Sequence, residues 1–135
     1  MFETTTQVRV RYAETDQMGV VYYGNYATYF EIGRVEALRE MGASYRAMEE
    51  SGVMLPVLDL KIKYIRPAKY DDLLTIKVTV PQMPNTRITF LYEITNEGGT
   101  LLTVGETTLV FVDMAKNRPV TIPEPFAGLF RRWFE

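Results

Sequence analysis

The stretch Asn25-Tyr26-Ala27-Thr28-Tyr29-Phe30-Glu31-Ile32-Gly33-Arg34-Val35-Glu36-Ala37-Leu38-Arg39-Glu40-Met41-Gly42 decides how the rest of the chain is arranged. Tyr26, Tyr29, Phe30, Gly33, Ala37 and Met41 recur at helical spacing and form one apolar face. Glu31, Arg34, Glu36, Arg39 and Glu40 cover much of the remaining surface. Asn25 has the side chain of an N-cap, and Gly42 is a C-terminal stop. The pattern therefore predicts a helix running to Met41. Gly33 costs that helix about 1 kcal/mol against alanine, so the close approach of another backbone is expected there.

Outward from this helix the period changes. Before it, Val8, Val10 and Tyr12 alternate with Arg9 and Arg11, a half-buried strand pattern. After it, Ser44 to Glu50 reads as a second short helix. Leu58, Leu60, Ile62 and Tyr64 then alternate with Asp59, Lys61 and Lys63. Pro67 to Asp72 breaks the chain. Leu74, Ile76, Val78 and Val80 form the next alternating run, and Ile88, Phe90, Tyr92 and Ile94 the one after. Asn96-Glu97-Gly98-Gly99 is a hairpin turn signal. Leu101 to Val112 reads as a long strand, with Gly105 as a bulge or a point of close approach. Phe126, Leu129, Phe130 and Trp133 define an amphipathic C-terminal helix.

The order is one strand, one long helix, then four strands. Strands joined by short turns pair antiparallel, and the apolar helix needs burial. The economical solution is an α+β fold in which a five-stranded antiparallel sheet wraps around the one long central helix. One helix cannot cover such a sheet completely, so pairing of the sheet or its edge with another subunit is expected.

Composition narrows the chemistry. The 135 residues include no histidine and no cysteine. That excludes histidine general bases, Ser-His-Asp triads, thiolate nucleophiles and the usual zinc sites. Acid–base or nucleophilic work falls to Asp, Glu, Lys, Tyr, Ser or Thr, which favours an activated substrate with a good leaving group. The hydrophobic share of 47% and charged share of 24% are ordinary for a globular protein, and the net charge is −2. This balance argues against a nucleic-acid partner. No apolar run approaches the length of a membrane helix, and Met1 to Gln7 lacks the features of a signal peptide. A single domain over residues 1–135 in the cytoplasm, with no membrane partner, is the expectation.

The segment Tyr12-Ala13-Glu14-Thr15-Asp16-Gln17-Met18-Gly19-Val20-Val21-Tyr22-Tyr23-Gly24-Asn25-Tyr26 carries the chemistry. It joins the first strand to the long helix. It sets the Asp16 carboxylate beside the free backbone N–H groups and positive dipole end of a helix start. Such N–H groups polarise a carbonyl while a carboxylate attacks it or activates water.

This segment resembles the signature of the 4-hydroxybenzoyl-CoA thioesterase family, including its broad acyl-CoA thioesterase branch. The resemblance rests on Tyr12, Asp16, Gly19, Val20-Val21-Tyr22 and Asn25-Tyr26. It continues through Phe30-Glu31-Ile32-Gly33-Arg34 and Tyr64-Ile65-Arg66-Pro67-Ala68-Lys69-Tyr70-Asp71-Asp72, and it spans nearly the whole chain. It implies the hotdog fold and hydrolysis of an acyl-CoA thioester to a carboxylic acid and CoA, without cofactor or metal. It also implies a homodimer as the minimal unit and a homotetramer as the expected assembly. The family's catalytic carboxylate falls on Asp16, and the residue whose backbone N–H polarises the thioester carbonyl falls on Tyr23. Many relatives carry histidine at the Tyr23 position. Gly19, Val20 and Tyr26 are the substrate-binding positions that the matching pattern supplies.

A thiolate leaves without strong acid help because thiols ionise near pH 8.5, which suits a site without histidine. Asp16 could act as a nucleophile through a mixed anhydride or as a base on water. Plainer readings stand beside these. Asp16 also fits an Asx-turn, and Gly19 a backbone turn. Glu14 competes as a base but also fits an exposed strand end. Glu31 and Glu36 fit solvated or ion-paired helix charges. Tyr22, Tyr23, Tyr26 and Tyr29 fit packing as well as an acyl pocket. Lys61, Lys63, Arg66, Lys69, Arg87, Lys116 and Arg118 include candidates for CoA phosphates, with no motif to select among them. The competing functions are a non-catalytic acyl-CoA binding module and a hotdog dehydratase or hydratase. The missing histidine weighs against the latter.

Overall fold

Alternating apolar residues pair five strands in the computed structural model, which describes residues 1–135. The strands are β1 (Phe2–Arg9), β3 (Val57–Tyr64), β4 (Leu73–Val80), β5 (Arg87–Thr95) and β6 (Leu101–Val110). They form one antiparallel sheet in the order β1-β4-β5-β6-β3. The long helix α1 (Tyr26–Met41) lies against the inner face, followed by the short α2 (Tyr45–Glu50). Two-residue strands β2 (Val53–Met54), β7 (Val112–Asp113) and β8 (Arg118–Pro119) make a small second sheet, and α3 (Glu124–Arg131) closes the chain. No helix is long and apolar enough to cross a membrane.

Two glycines on opposite elements set how closely α1 meets the sheet. Thr4, Val78, Tyr92, Gly105 and Ile62 form a single cross-strand row. Above it, Phe30 of α1 stacks on Tyr92 with ring centroids 4.2 Å apart. A Cβ at Gly105 would lie 2.4 Å from the Phe30 ring. One turn along α1, a Cβ at Gly33 would lie 2.8 Å from Val78 Cγ2 and 2.9 Å from Ile76 Cγ2. The large residue sits on the helix in one contact and on the strand in the other. This reciprocal fit is the close packing that protein interiors require. The expected close approach at Gly33 is therefore to strand side chains rather than to a backbone. Gly105 is a close-approach point and not a bulge.

Several local expectations need correction. The first strand starts at Phe2 and ends at Arg9, so Tyr12 lies beyond it on a 3₁₀ turn and is exposed. The Thr4-Thr5-Thr6 run lacks the apolar alternation that marks a strand, yet its pairing with β4 holds it extended. Asn25 occupies the N-cap position of α1, but its side chain does not cap the helix. Its Nδ2 donates to the Glu14 carbonyl over 2.8 Å instead. Arg34 belongs to the buried face of α1, not the polar one. Only 7% of it is exposed, and its Nε donates to the Tyr45 hydroxyl over 3.0 Å. The long last strand breaks at Phe111, where a buried side chain separates β6 from β7. Gly42 ends α1 as read, at φ 97°, while α2 begins at Tyr45 and Ser44 stands before it as the cap, its hydroxyl accepting from Ala47 N–H.

Strand β3 is an outer strand, and its alternation does not translate into burial. Only Ile62 is half-buried; Leu58, Leu60 and Tyr64 are exposed along with the intervening charges. Inward residues on β4 and β5 are fully covered, including Ile76, Val78, Phe90, Tyr92 and Ile94.

Candidate active site

The segment between β1 and α1 folds into a tight hairpin, and its backbone hydrogen bonds place the site. Asp16 N–H donates to the Val20 carbonyl over 2.9 Å, and Gly19 N–H donates to the Asp16 carbonyl over 3.0 Å. Gly19 sits at φ 78°, a left-handed conformation that side chains disfavour, while the space around it is open. The turn accounts for a glycine here, and Gly19 does not line the cleft described below. The far arm of the hairpin pairs with the segment after β3, as Val21 N–H donates to the Ala68 carbonyl over 2.9 Å.

Glu14 ties this hairpin to α1. Its Oε1 accepts from the Tyr29 hydroxyl at 2.9 Å and from Arg11 N–H at 2.8 Å. Its carbonyl accepts from Tyr22 N–H at 2.9 Å and from the Asn25 side chain at 2.8 Å. Glu14 is thus a structural clamp on a 3₁₀ turn, not an exposed strand-end charge. Tyr29 is buried, and its pKa is pushed far up by desolvation first and by the Glu14 carboxylate second.

Asp16, Val20, Val21, Tyr23, Tyr26, Tyr64, Ile65, Arg66 and Pro67 line one cleft of ≈ 390 Å³. Four of the five residues singled out from the sequence, Asp16, Tyr23, Val20 and Tyr26, thus converge; Gly19 stays outside. One carboxylate oxygen of Asp16, Oδ1, accepts from Met18 N–H at 2.9 Å, the Asx-turn geometry. The other oxygen has no partner within the chain. Asp16 also borders a hollow on its far side, formed with Tyr12, Ala13, Thr15 and Gln17. The carboxylate therefore stands on the rim between two spaces that a bound molecule could occupy.

Tyr23 begins the 3₁₀ turn Tyr23–Asn25 that leads into α1. Its amide N–H has no acceptor in the chain, whereas its carbonyl accepts from Tyr26 N–H and from the Tyr64 hydroxyl at 3.2 Å. Gly24 follows it, where a Cβ would lie 2.8 Å from the exposed Tyr22 ring. The Tyr26 ring meets Tyr64 edge-on at 5.2 Å, and its hydroxyl accepts from Ala68 N–H at 3.3 Å. The tyrosine cluster therefore divides. Tyr26 and Tyr29 are buried packing residues, while Tyr22 and Tyr23 are exposed.

Sequence reasoning matched Val21, Tyr64, Ile65 and Pro67 to the family without giving them a role in the cleft, and offered Arg66 only as one of several candidates for CoA phosphates. The available signal was the loss of alternation after Tyr64, where Pro67 ends strand pairing. Glu31 and Glu36 are outside the cleft and pair with Arg34 and Arg39 along the helix. No three or more His, Cys, Asp or Glu side chains gather in a way that could hold a metal ion.

The arrangement puts Asp16 and Tyr23, whose N–H has no acceptor in the chain, on one cleft of a helix-wrapped sheet. The thioesterase-like superfamily matches over residues 10–130, and the chain belongs to that family of hotdog-fold enzymes. It is a thioester hydrolase. The acyl-CoA thioester hydrolase YbgC of Escherichia coli is 34% identical over 125 residues, covering 93% of each chain. A DHNA-CoA thioesterase from Staphylococcus aureus superposes with a TM-score of 0.93 at 34% identity, over 99% of this chain and 92% of that one. A 4-hydroxybenzoyl CoA thioesterase has the same fold, with a TM-score of 0.83 at 21% identity over 94% and 97% of the two chains.

Proposed function

We propose that residues 1–135 act as one hotdog domain that hydrolyses an acyl-CoA thioester to a carboxylic acid and free CoA. The observation that supports this reading is that Asp16 and Tyr23, whose N–H has no acceptor in the chain, line the same cleft. The thioester carbonyl oxygen accepts from Tyr23 N–H, which stabilises the negative charge that develops there. In one route an Asp16 oxygen attacks the carbonyl carbon, the CoA thiolate leaves, and water cleaves the resulting anhydride. In the other, Asp16 takes a proton from water as the water oxygen attacks, and that proton passes to the departing thiolate. Relatives named for CoA thioesters support this substrate class. The cytoplasm, where acyl-CoA is found, is the proposed compartment.

The active unit is proposed to be a homodimer, with a homotetramer as the larger assembly. The outer strand β3 leaves Val57, Leu58, Leu60 and Tyr64 exposed, an open apolar edge that proteins normally cover. Light scattering on the eluted protein tests this, and a monomer at micromolar concentration overturns it.

The function is tested by CoA release from aromatic, short-chain and long-chain acyl-CoAs. Asp16→Asn should keep the fold and substrate binding and lower kcat by about 10²-fold or more. Undiminished turnover removes Asp16 from catalysis, and absence of turnover by the native chain on every thioester supports a binding module instead. A single turnover in ¹⁸O-water that labels Asp16 assigns the anhydride route with water opening the anhydride at the Asp16 carboxyl carbon, because direct attack of water on the thioester puts the label in the acid product alone.

A further inference from the structure

The turn that carries the Tyr23 N–H is fastened from two sides. On the side of the Asp16 hairpin, the Glu14 carbonyl accepts from Tyr22 N–H at 2.9 Å and from the Asn25 side chain at 2.8 Å. On the other side stands Tyr64, the last residue of β3. Its hydroxyl donates to the Tyr23 carbonyl at 3.2 Å, from a position 41 residues further along the chain. This is the one hydrogen bond that joins the five-stranded sheet to the turn. Among the exposed tyrosines, Tyr64 is also the one whose hydroxyl reaches the main chain.

The Tyr64 ring has a fixed support. It meets the buried Tyr26 ring edge-on at 5.2 Å, and the Tyr26 hydroxyl is itself tied to Ala68 N–H at 3.3 Å. Partial burial first, and Tyr26 and Tyr23 after it, raise the Tyr64 pKa above its ordinary value, so the hydroxyl stays a donor well above neutral pH.

This tie matters because of where it falls. The hydrogen bonds of a 3₁₀ turn have poor geometry, and Tyr23–Asn25 is an exposed turn of three residues. The Tyr22–Tyr23 peptide, which carries the N–H without an acceptor, lies between the Glu14 bonds and the Tyr64 bond. A donor to a developing oxyanion acts by being aimed before the reaction begins, and a small misplacement of such a group costs rate.

We propose that Tyr64 is a positioning residue for the hydrolytic reaction: its hydroxyl, through the Tyr23 carbonyl, holds the Tyr23 N–H in the direction that receives the thioester oxygen. The proposal rests on the Tyr23 reading above and adds to it a residue of the outer strand. In this role Tyr64 makes no contact with the reacting atoms.

Tyr64→Phe removes the hydroxyl and keeps the ring that walls the cleft. Its kcat should fall about tenfold, short of the roughly 10²-fold loss of a deleted oxyanion donor, while KM changes less than about twofold. Unchanged kcat overturns the proposal. So does a raised KM with kcat intact, which would place the hydroxyl on the substrate instead. The infrared carbonyl stretch of a bound acyl-CoA ketone, with CH₂ in place of the sulfur, reports the polarisation directly. It should lie lower in the native chain than in Tyr64→Phe. Equal lowering in both chains overturns the proposal and leaves the Tyr23 donor standing, whereas no lowering in the native chain overturns the donor and the proposal with it. ¹⁵N relaxation of the free protein needs no substrate. The order parameter of the Tyr23 N–H should fall in Tyr64→Phe from about 0.85 towards about 0.6, and an unchanged value overturns the tie.

Discussion

The Tyr29 hydroxyl donates to Glu14 Oε1 over 2.9 Å and so joins the buried face of α1 to the loop that carries Asp16. Apart from Val21, which packs into the core, the loop is held by such polar ties. Glu14→Ala removes the acceptor for both Tyr29 and Arg11 N–H and leaves a buried hydroxyl unpaired. The expected loss is about 2 kcal/mol of stability, measured by urea unfolding. Glu14→Gln keeps an acceptor oxygen and should retain most of the stability and most of the turnover. A Glu14→Gln enzyme as inactive as Asp16→Asn would make Glu14 the base.

Alkali should loosen the fold through its tyrosines. Burial pushes the Tyr29 pKa far up and that of Tyr45 to about 12, and it also raises Tyr92. The unfolded chain releases these protons near the ordinary value of about 10. The folded chain holds them more tightly, so the stabilisation is intact below pH 10 and falls as the pH rises through the folded values. Thermal melts should therefore decline from about pH 10 upward. Tyr45→Phe should flatten part of that decline, and an unchanged slope would disconnect Tyr45 from it.

Tyr23 gives a test that separates backbone from side chain. Its amide N–H is the unsatisfied donor, and its ring is largely exposed. Tyr23→Phe should retain kcat within about threefold, because an exposed hydroxyl contributes little once the backbone donor is kept. A loss of about 10²-fold in kcat, the scale of a lost oxyanion donor, would assign the chemistry to the phenol.

Gly105→Ala probes the contact that seats the helix. Its methyl group would lie 2.4 Å from the Phe30 ring and 3.0 Å from the Lys61 carbonyl. Phe30 cannot retreat freely because Tyr92 stacks against it. The expected cost is about 3 kcal/mol in urea unfolding, the upper range for overpacking. Phe30→Leu in the same background should recover part of it, and a neutral Gly105→Ala would show that the ring has room to move.

The sequence by itself determined the helix from Tyr26 to Met41, the inward rows of β4 and β5, and the Asp16 carboxylate before a helix start, while the focus on Tyr23 came from the family resemblance. These are local facts: side-chain period sets which face is buried, and a carboxylate before a glycine turn and a helix start is visible as a string. Even a correct string misled where a residue's partner was distant. Arg34 reads as a surface charge until Tyr45 closes over it. Thr4 to Thr6 carry no strand pattern of their own, and β4 pairs with them. Glu14 reads as a loose acid until Tyr29, fifteen positions later, donates to it. Only the tertiary structure decided the walls of the cleft, because Tyr64 reaches Tyr23 and Ala68 reaches Tyr26 across more than forty residues. Period records which way a side chain points, and it carries no record of what arrives there from elsewhere in the chain.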